Sequence, residues 1–182
     1  TEGWINVQNA EDTETGITPA FVTATGGNTV ATCGDFKIHT FTGPGTFTVS
    51  CAGNSAGSNE VSYVVVAGGG GGGGRNGGGG GAGGFREAKS PSTPYTASPL
   101  DGYSTPANRI TVSATGFPIT VGGGGAGGTS TSAKGGDGSN SIFSTITSAG
   151  GGGGGSFDSP NTPSLLDGNN GGSGGGGAAT GS

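Results

Sequence analysis

The sequence Val64-Val65-Val66-Ala67-Gly68 is the most informative stretch of the chain, because a short β-branched strand runs directly into the seven glycines of Gly68–Gly74. After two other residues, glycine resumes over Gly77–Gly84 with a single alanine among them. The same succession of strand and glycine tract returns over 119–128 and 142–155, and more loosely at 171–177. A flexible linker does not need a strand at each tract, so we interpret glycine as the packing residue of a folded domain.

Ordering glycine costs more backbone entropy than ordering any other residue, and 48 of the 182 residues are glycine. Main-chain hydrogen bonds and close packing must offset that cost. Threefold left-handed helices of the polyproline II type leave every N–H and C=O pointing sideways, and only glycine lets such helices approach closely. The sequence therefore predicts a mainly β fold with essentially no α-helix, in which a short antiparallel β scaffold clamps a sandwich of packed polyglycine II helices. The alanines within the tracts, Ala82 and Ala126, are expected to face outward.

Disorder is the alternative, since so much glycine together with nine prolines is typical of low-complexity chains. Two segments, Val61–Val66 and Arg109–Val112, argue against disorder. Both are rich in β-branched and aromatic residues, and Gly, Pro or Asn residues that end strands lie near them. We therefore expect order in the glycine tracts.

Two regions are predicted: an N-terminal connector over residues 1–32 and a glycine-rich β/polyglycine II domain over 33–182. The chain is expected to be an excerpt of a longer polypeptide. The strongest hairpin signal pairs Asp35–Phe41 with Thr46–Ser50 around a turn at Gly43-Pro44.

The two cysteines, Cys33 and Cys51, bracket this predicted hairpin. Folding at Gly43-Pro44 would bring its ends together, so a disulfide is geometrically natural, with two free buried thiols as the alternative. Two cysteines alone do not make a structural zinc site, which needs four ligands.

Composition excludes several partner classes. Only 9% of residues are charged, the net charge is −5, and the six basic residues are scattered singly, so we expect no nucleic-acid partner. The chain has no run of about 18 apolar residues, so we expect no membrane insertion.

Catalysis is not expected. His39 is the only histidine, a nucleophile signature such as G-x-S-x-G is absent, and we interpret His39 as a residue of the hairpin surface. The glycine tracts lack the Gly-Lys-Ser/Thr or following helix of nucleotide sites, so no cofactor is predicted. The segment Asp137-Gly138-Ser139-Asn140 is either an ordinary Asp-Gly turn or a calcium-binding turn.

Two long excursions, 85–108 and 156–170, are expected to leave the ends of the glycine tracts and to form recognition loops on a rigid scaffold. Aromatic residues anchor interfaces at low entropy cost. Four aromatic residues are candidates for binding a receptor: Tyr95, Tyr103, Phe117 and Phe157. The alternative is that they fix the loops to the packed glycine helices, which we call stapling.

The string His39-Thr40-Phe41-Thr42-Gly43-Pro44-Gly45-Thr46-Phe47-Thr48-Val49 precedes Val64–Gly68, and later come Ile119–Gly122 and Ser139–Phe143. This succession resembles the glycine-rich domain of tail-fibre and adhesin proteins of tailed bacteriophages, including marine phages and cyanophages, over residues 35–177. The resemblance implies a virion surface component with sandwiched polyglycine helices and variable loops that meet the host.

The sequence thus predicts a non-enzymatic virion structural protein at the virion surface or outside the cell. Its expected partners are other fibre subunits, including copies of itself, and a bacterial surface receptor that is a glycan or an outer-membrane protein. The alternative is a self-assembling extracellular fibre or surface-layer protein.

Overall fold

Eleven short strands and no α-helix are present in the computed structural model, which describes residues 17–130, 132–157 and 163–179. This confirms the mainly β prediction. The helical content of these residues is two 3₁₀ turns, at Pro106–Asn108 and Pro163–Leu165. In chain order the strands are β1 (Val22–Thr25), β2 (Thr29–Cys33), β3 (Phe36–Thr40), β4 (Gly45–Ala52), β5 (Glu60–Val61), β6 (Tyr63–Val66), β7 (Phe85–Ala88), β8 (Ile110–Thr111), β9 (Gly116–Thr120), β10 (Ser141–Phe143) and β11 (Ile146–Ser148).

The strands form one larger sheet and three pairs, all antiparallel. The five-stranded sheet has the order β1-β4-β9-β10-β11. The pairs are β2–β3, β5–β8 and β6–β7. Strands β6 and β7 contact β11, and β6 also contacts β10, so this pair lies against the larger sheet.

The predicted hairpin between β3 and β4 is wrong, although both strands exist near the expected bounds. Strand β3 pairs with β2 across a two-residue turn at Gly34-Asp35, where Gly34 has a φ of +57°. A two-residue turn with a left-handed glycine closes a hairpin locally. Strand β4 instead lies between β1 and β9, because Phe47 and Val49 are buried in the core of the larger sheet.

Part of the segment predicted to be a connector is structured. Strand β1 pairs with β4, with Val22 opposite Ala52, and β2 also lies almost wholly before residue 33. Residues 1–16, the rest of the predicted connector, lie outside the described residues.

The segment 142–147, expected to be one strand leading into glycine, is a hairpin. Phe143 lies opposite Ile146, and Ser144 between them has a φ of +54°. A left-handed residue at this point reverses the chain. Strand β11, rather than β10, therefore leads into the glycine tract that begins at Gly150.

The hydrophobic core is small and aromatic, as the low apolar content requires. The ring of Phe143 makes edge-to-face contacts with Phe47, Tyr63 and Phe117, at centroid distances of 6.0–6.3 Å. Such aromatic pairs add about 0.5–1.5 kcal/mol each beyond their buried area. The core thus joins β4, β6, β9 and β10 at one centre.

Beyond this core the chain forms seven extended segments outside the strands, linked laterally by main-chain hydrogen bonds. We call them together the glycine bundle and label them in chain order: A (67–74), B (77–84), C (122–128), D (133–139), E (149–156), F (168–172) and G (173–178). Each of A to E is joined to a strand at one end, directly or through a single residue, so the sheets hold these five in alignment.

Candidate functional site

Hydrogen bonds between bundle segments recur every third residue. The N–H groups of residues 67, 70 and 73 in segment A bond to carbonyls 84, 81 and 78 of segment B. The N–H groups of residues 68, 71 and 74 bond to carbonyls 139, 136 and 133 of segment D. Successive N–H groups of one segment therefore point to different neighbours, and the pattern repeats after three residues.

Segment E is the innermost part of the bundle, and all residues of Gly150–Ser156 are buried. Every main-chain N–H and C=O of Gly150–Gly155 has a hydrogen-bond partner, drawn from segments A, B, D, F and G and from Asn140. Buried main-chain groups without partners cost about 1–3 kcal/mol each, so full pairing is the condition for burying this segment.

Two of these partners are side chains. Asn140 Oδ1 accepts from the Gly150 N–H at 2.9 Å, and Asp137 Oδ1 accepts from the Gly153 N–H at 2.8 Å. Asp137 Oδ1 also accepts from Asn169 Nδ2 of segment F at 2.9 Å. These hydrogen bonds, first that of Gly153 and then that of Asn169, lower the pKa of Asp137. The side chains thus serve segment E on the side between D and F, where no glycine segment lies.

The turn predicted at 137–140 is absent, because these residues lie in an extended part of the chain. Nor do the described ranges bring three His, Cys, Asp or Glu side chains together as metal ligands. Asp137 Oδ1 is already engaged by two N–H donors. The geometry therefore gives Asp137 a role in the bundle.

Close approach explains why interior positions require glycine. A Cβ added at Gly152 or Gly154 would lie 1.9 or 2.0 Å from a main-chain oxygen of a neighbouring segment. At Gly79 and Gly123 it would meet nothing within 4 Å. Ala82 and Ala126 are exposed, which confirms the prediction that the alanines face outward.

The predicted bounds of both recognition loops are partly wrong, because Phe85–Ala88 is strand β7 and residues 168–170 belong to segment F. Of the rest, residues 89–108 and 156–157 lie at opposite ends of the molecule. Strand β7 leads away from the bundle, so residues 89–109 follow at the end remote from it. Phe157 instead follows segment E at the far end of the bundle. Segment E lies between the two places, so Phe157 and residues 89–109 do not form one surface.

The loop of residues 89–109 is fixed by a buried carboxylate. Glu87 is 5% exposed, and its Oε2 accepts hydrogen bonds from both the N–H, at 3.0 Å, and the hydroxyl of Ser98. Burial first, and then a hydrogen bond to Glu87, raises the pKa of Tyr95 to about 12. The Lys89 ammonium lies 5.8 Å from the centroid of the Tyr95 ring. Tyr95 remains 39% exposed, so it is held in place and accessible.

Tyr103 is held more tightly. Its hydroxyl donates to Glu60 Oε2 at 2.8 Å, and the Arg109 guanidinium lies 4.4 Å from the ring centroid. Arg109 Nε also donates to the Tyr103 carbonyl oxygen at 2.9 Å. Asp101 Oδ1 accepts from the N–H groups of Lys89 and Tyr103. These contacts match the stapling alternative for Tyr103.

The other two aromatic candidates lie elsewhere. Phe117 is half-buried in β9 and packs against Phe143, so it belongs to the core. Phe157 is half-buried beside segment E. Of the four candidates, the structure brings only Tyr95 and Tyr103 into one loop.

Both cysteine thiols are free and exposed. Cys33 lies opposite Phe36 in β2–β3, whereas Cys51 lies opposite Thr23 in β1–β4. Because β3 and β4 do not pair, the disulfide prediction loses its geometric basis. His39 Nδ1 lies 2.7 Å from the Gly26 carbonyl oxygen and its ring contacts Phe47, which is a structural role.

Sequence reasoning missed the residues that hold the loop. Ser62 is one of them, since its hydroxyl accepts from the Ser90 N–H at 2.9 Å and is bonded to the Thr93 hydroxyl at 2.7 Å. Glu87 is another. It lies in the excursion predicted over 85–108, where a charged side chain is expected to face solvent, so no local signal marked it.

In the part of the chain that the structure describes, no helix is long and apolar enough to cross a bilayer. No curated protein and no solved structure matches the chain. The family model of the glycine-rich domain matches residues 40–182, which include all seven bundle segments and most strands. The chain therefore belongs to the glycine-rich domain family.

Proposed function

We propose that the bundle is a sandwich of polyglycine II helices, and that the chain is a non-enzymatic structural domain of a phage tail fibre or adhesin. One observation carries the first part: hydrogen bonds between segments recur at three residues, which is the period of a threefold helix. The glycine φ values agree, because among the described glycines φ is positive at only four positions, all outside the bundle: Gly26, Gly27, Gly34 and Gly53.

A rigid domain suits the display of loops. Hydrogen bonds from Glu60 of β5, from Ser62 and from Glu87 of β7 to residues 89–109 order this loop before any partner arrives. A preordered loop loses less entropy on binding, so more of its contact energy appears as affinity. Exposed Tyr95 and Leu100, which is 68% exposed, supply aromatic and apolar contact area on it.

The proposed target is a bacterial surface receptor, a glycan or an outer-membrane protein. An aromatic ring beside hydroxyl side chains is a common way to contact sugars. Tyr95 offers this combination, since Thr93 and Thr96 are its near neighbours in the loop. Virion-surface or extracellular localisation follows from the proposed function.

A self-assembling extracellular fibre is the second candidate. The observation in its favour is that outer bundle segments expose glycine main chain, as at Gly123, Gly124 and Gly127. A fibre subunit is expected to polymerise, whereas an adhesin domain is expected to form a discrete monomer or small oligomer.

The test is adsorption of the purified domain to a panel of bacterial cells, with competition against phage adsorption. Tyr95→Ala should weaken binding at least about tenfold, because the exposed ring is lost, while thermal unfolding checks that the domain stays folded. Phe157→Ala, at the opposite end, is the matched control. Loss of binding in Phe157→Ala alone would instead locate the recognition surface at the far end of the bundle.

Failure of the domain to bind any cell, together with filament formation in solution, would overturn the adhesin proposal in favour of the fibre. Fast amide exchange at Gly150–Gly155 would overturn the polyglycine II sandwich itself.

A further inference from the structure

The two broad sides of the bundle present different chemical groups. On the side between segments D and F, the side chains of Asp137 and Asn140 accept the N–H groups of segment E, and Asn169 bonds to Asp137. Polar side chains thus close that side. The opposite side consists of segments C, A and B in that order, since A bonds to both C and B. We call it the C–A–B face.

The C–A–B face presents unpaired main-chain groups. Within segment A, residues 67, 70 and 73 donate to B, and residues 68, 71 and 74 donate to D. The third set, Gly69 and Gly72, has no acceptor for its N–H groups among the described residues. In a threefold helix this set points away from both B and D, toward solvent.

Segment C repeats the pattern at one edge of this face. Gly125 and Gly128 donate to carbonyls 69 and 72 of segment A. Gly124 and Gly127 have no acceptor within the described chain. Carbonyl groups are open as well, at Gly70 and Gly73, where no donor is recorded in the described ranges. Donors and acceptors therefore alternate along the face at the spacing that links segments inside the bundle.

At four positions of this face, packing within the chain does not require glycine, although at Gly80 of segment B a Cβ would lie 2.0 Å from the Gly70 carbonyl oxygen. A Cβ at Gly69, Gly72, Gly124 or Gly127 would meet its nearest atom at 3.5–3.8 Å, an ordinary contact distance. The interior positions contrast sharply, with distances near 2 Å. A side chain at these outer positions would, however, keep a further main chain from approaching. Glycine at these four positions fits a surface that receives another main chain, which would have to pass beside the exposed methyl groups of Ala82 and Ala126.

We infer that the C–A–B face is a contact between two copies of this chain, made by main-chain hydrogen bonds between their glycine segments. The inference rests on the polyglycine II sandwich proposed above and names the partner of one of its faces. Segments A, B and C contain no charged residue, so the face avoids the repulsion that the net charge of −5 creates elsewhere. A second copy also supplies the same pattern of donors and acceptors.

The size of the face sets the strength of the contact. Three segments about 22 Å long and about 5 Å apart cover about 300 Å² on each copy. Stable protein interfaces bury at least about 1,200 Å² in total. The contact is therefore weak in dilute solution and forms when copies are concentrated or held side by side in one assembly.

Sedimentation equilibrium over a range of concentrations up to the solubility limit tests this inference. The unaltered chain should show reversible dimers at its highest concentrations. The double variant Gly72→Val/Gly127→Val should weaken the dimer at least about tenfold, because the added side chains separate the two faces. Gly174→Val is the control, since segment G also has room for a Cβ, at 3.7 Å, away from this face.

Amide exchange on the same samples separates the two proposals. If Gly150–Gly155 exchange slowly but the chain is monomeric at every concentration, the dimer inference is overturned and the sandwich stands. If the double variant dimerises like the unaltered chain, the C–A–B face is not the contact between the two copies. If these amides exchange as in a free peptide, the sandwich and the inference built on it fail together.

Discussion

The carboxylate of Asp137 accepts a 2.8 Å hydrogen bond from the main-chain N–H of Gly153, at the middle of the innermost glycine segment. Elsewhere in the bundle, a main-chain carbonyl of a neighbouring segment accepts such a hydrogen bond. The bundle therefore depends on one polar side chain at a point where its main-chain pairing is incomplete.

Asp137 should make stability depend on acid pH. Because its pKa is lowered in the folded chain, mainly by the Gly153 hydrogen bond, its contribution is present above the unfolded pKa of about 3.9 and is lost as pH falls below it. Urea unfolding of the unaltered chain and of Asp137→Asn at pH 7 and at about pH 2.5 checks this. Asp137→Asn should lose less stability on acidification. Equal losses in both proteins would contradict it.

Asp137→Ala should be less stable at neutral pH than Asp137→Asn. Alanine leaves the Gly153 N–H without an acceptor, whereas the asparagine amide oxygen can replace the carboxylate oxygen. Urea unfolding at pH 7 measures the difference. The idea fails if the alanine variant is as stable as the asparagine variant.

Alanine should be tolerated on the outside of the bundle and rejected inside it. Gly154→Ala places its Cβ 2.0 Å from the Gly78 carbonyl oxygen, so we expect a loss above about 4 kcal/mol or failure to fold. Gly79→Ala meets no atom within 4 Å and should be neutral or stabilising by up to about 1 kcal/mol. Thermal unfolding compares the stability of the two variants. Similar unfolding midpoints would contradict the prediction.

Ionisation of Tyr95 should require unusually high pH. Burial and the hydrogen bond to Glu87 raise its pKa to about 12. The folded state favours neutral tyrosine, so this contribution to stability is present below about pH 10 and is lost as pH rises toward about 12. Ultraviolet titration of tyrosinate should show a step at about pH 12 that disappears in Tyr95→Phe.

Glu87→Gln should lower the pKa of Tyr95, because it removes a nearby negative charge. The same titration measures it, with Glu60→Gln as the control for a carboxylate that binds Tyr103 instead. An unchanged Tyr95 titration in Glu87→Gln would show that Glu87 does not hold this side chain.

Both cysteines should react with a thiol reagent in the native protein, giving two thiols per chain, because both are exposed and free. The double variant Cys33→Ser/Cys51→Ser should stay within about 0.5 kcal/mol of the unaltered chain. A native protein with no reactive thiol and a midpoint that falls under reducing conditions would restore the disulfide.

Strand positions could be predicted more reliably than strand partners. Phe36–Thr40 and Gly45–Ala52 are strands close to where alternation placed them. Their pairing was mispredicted because Gly34-Asp35 and Gly43-Pro44 are both good turn signals. Local sequence does not say which turn closes a hairpin, since burial of Phe47 and Val49 against distant strands decides it.

The candidate loop could be located from its composition, but the roles of its aromatic residues could not. Tyr95 and Tyr103 lie eight positions apart in similar surroundings, yet Tyr103 is fastened by Glu60 and Arg109 while Tyr95 stays accessible. That difference comes from Glu60, which is 43 positions from Tyr103 in the chain.

Sequence alone was enough to predict ordered glycine, outward-facing Ala82 and Ala126, and the lack of α-helix found in the described residues. Those properties follow from local sterics, because only glycine permits close main-chain approach and only short β-branched runs flank the tracts. Tertiary structure alone decided which segment became the innermost one and that Asp137 would complete its hydrogen bonds. A glycine segment carries no side chain to mark its neighbours, so its place in the bundle is fixed by the strands at its ends.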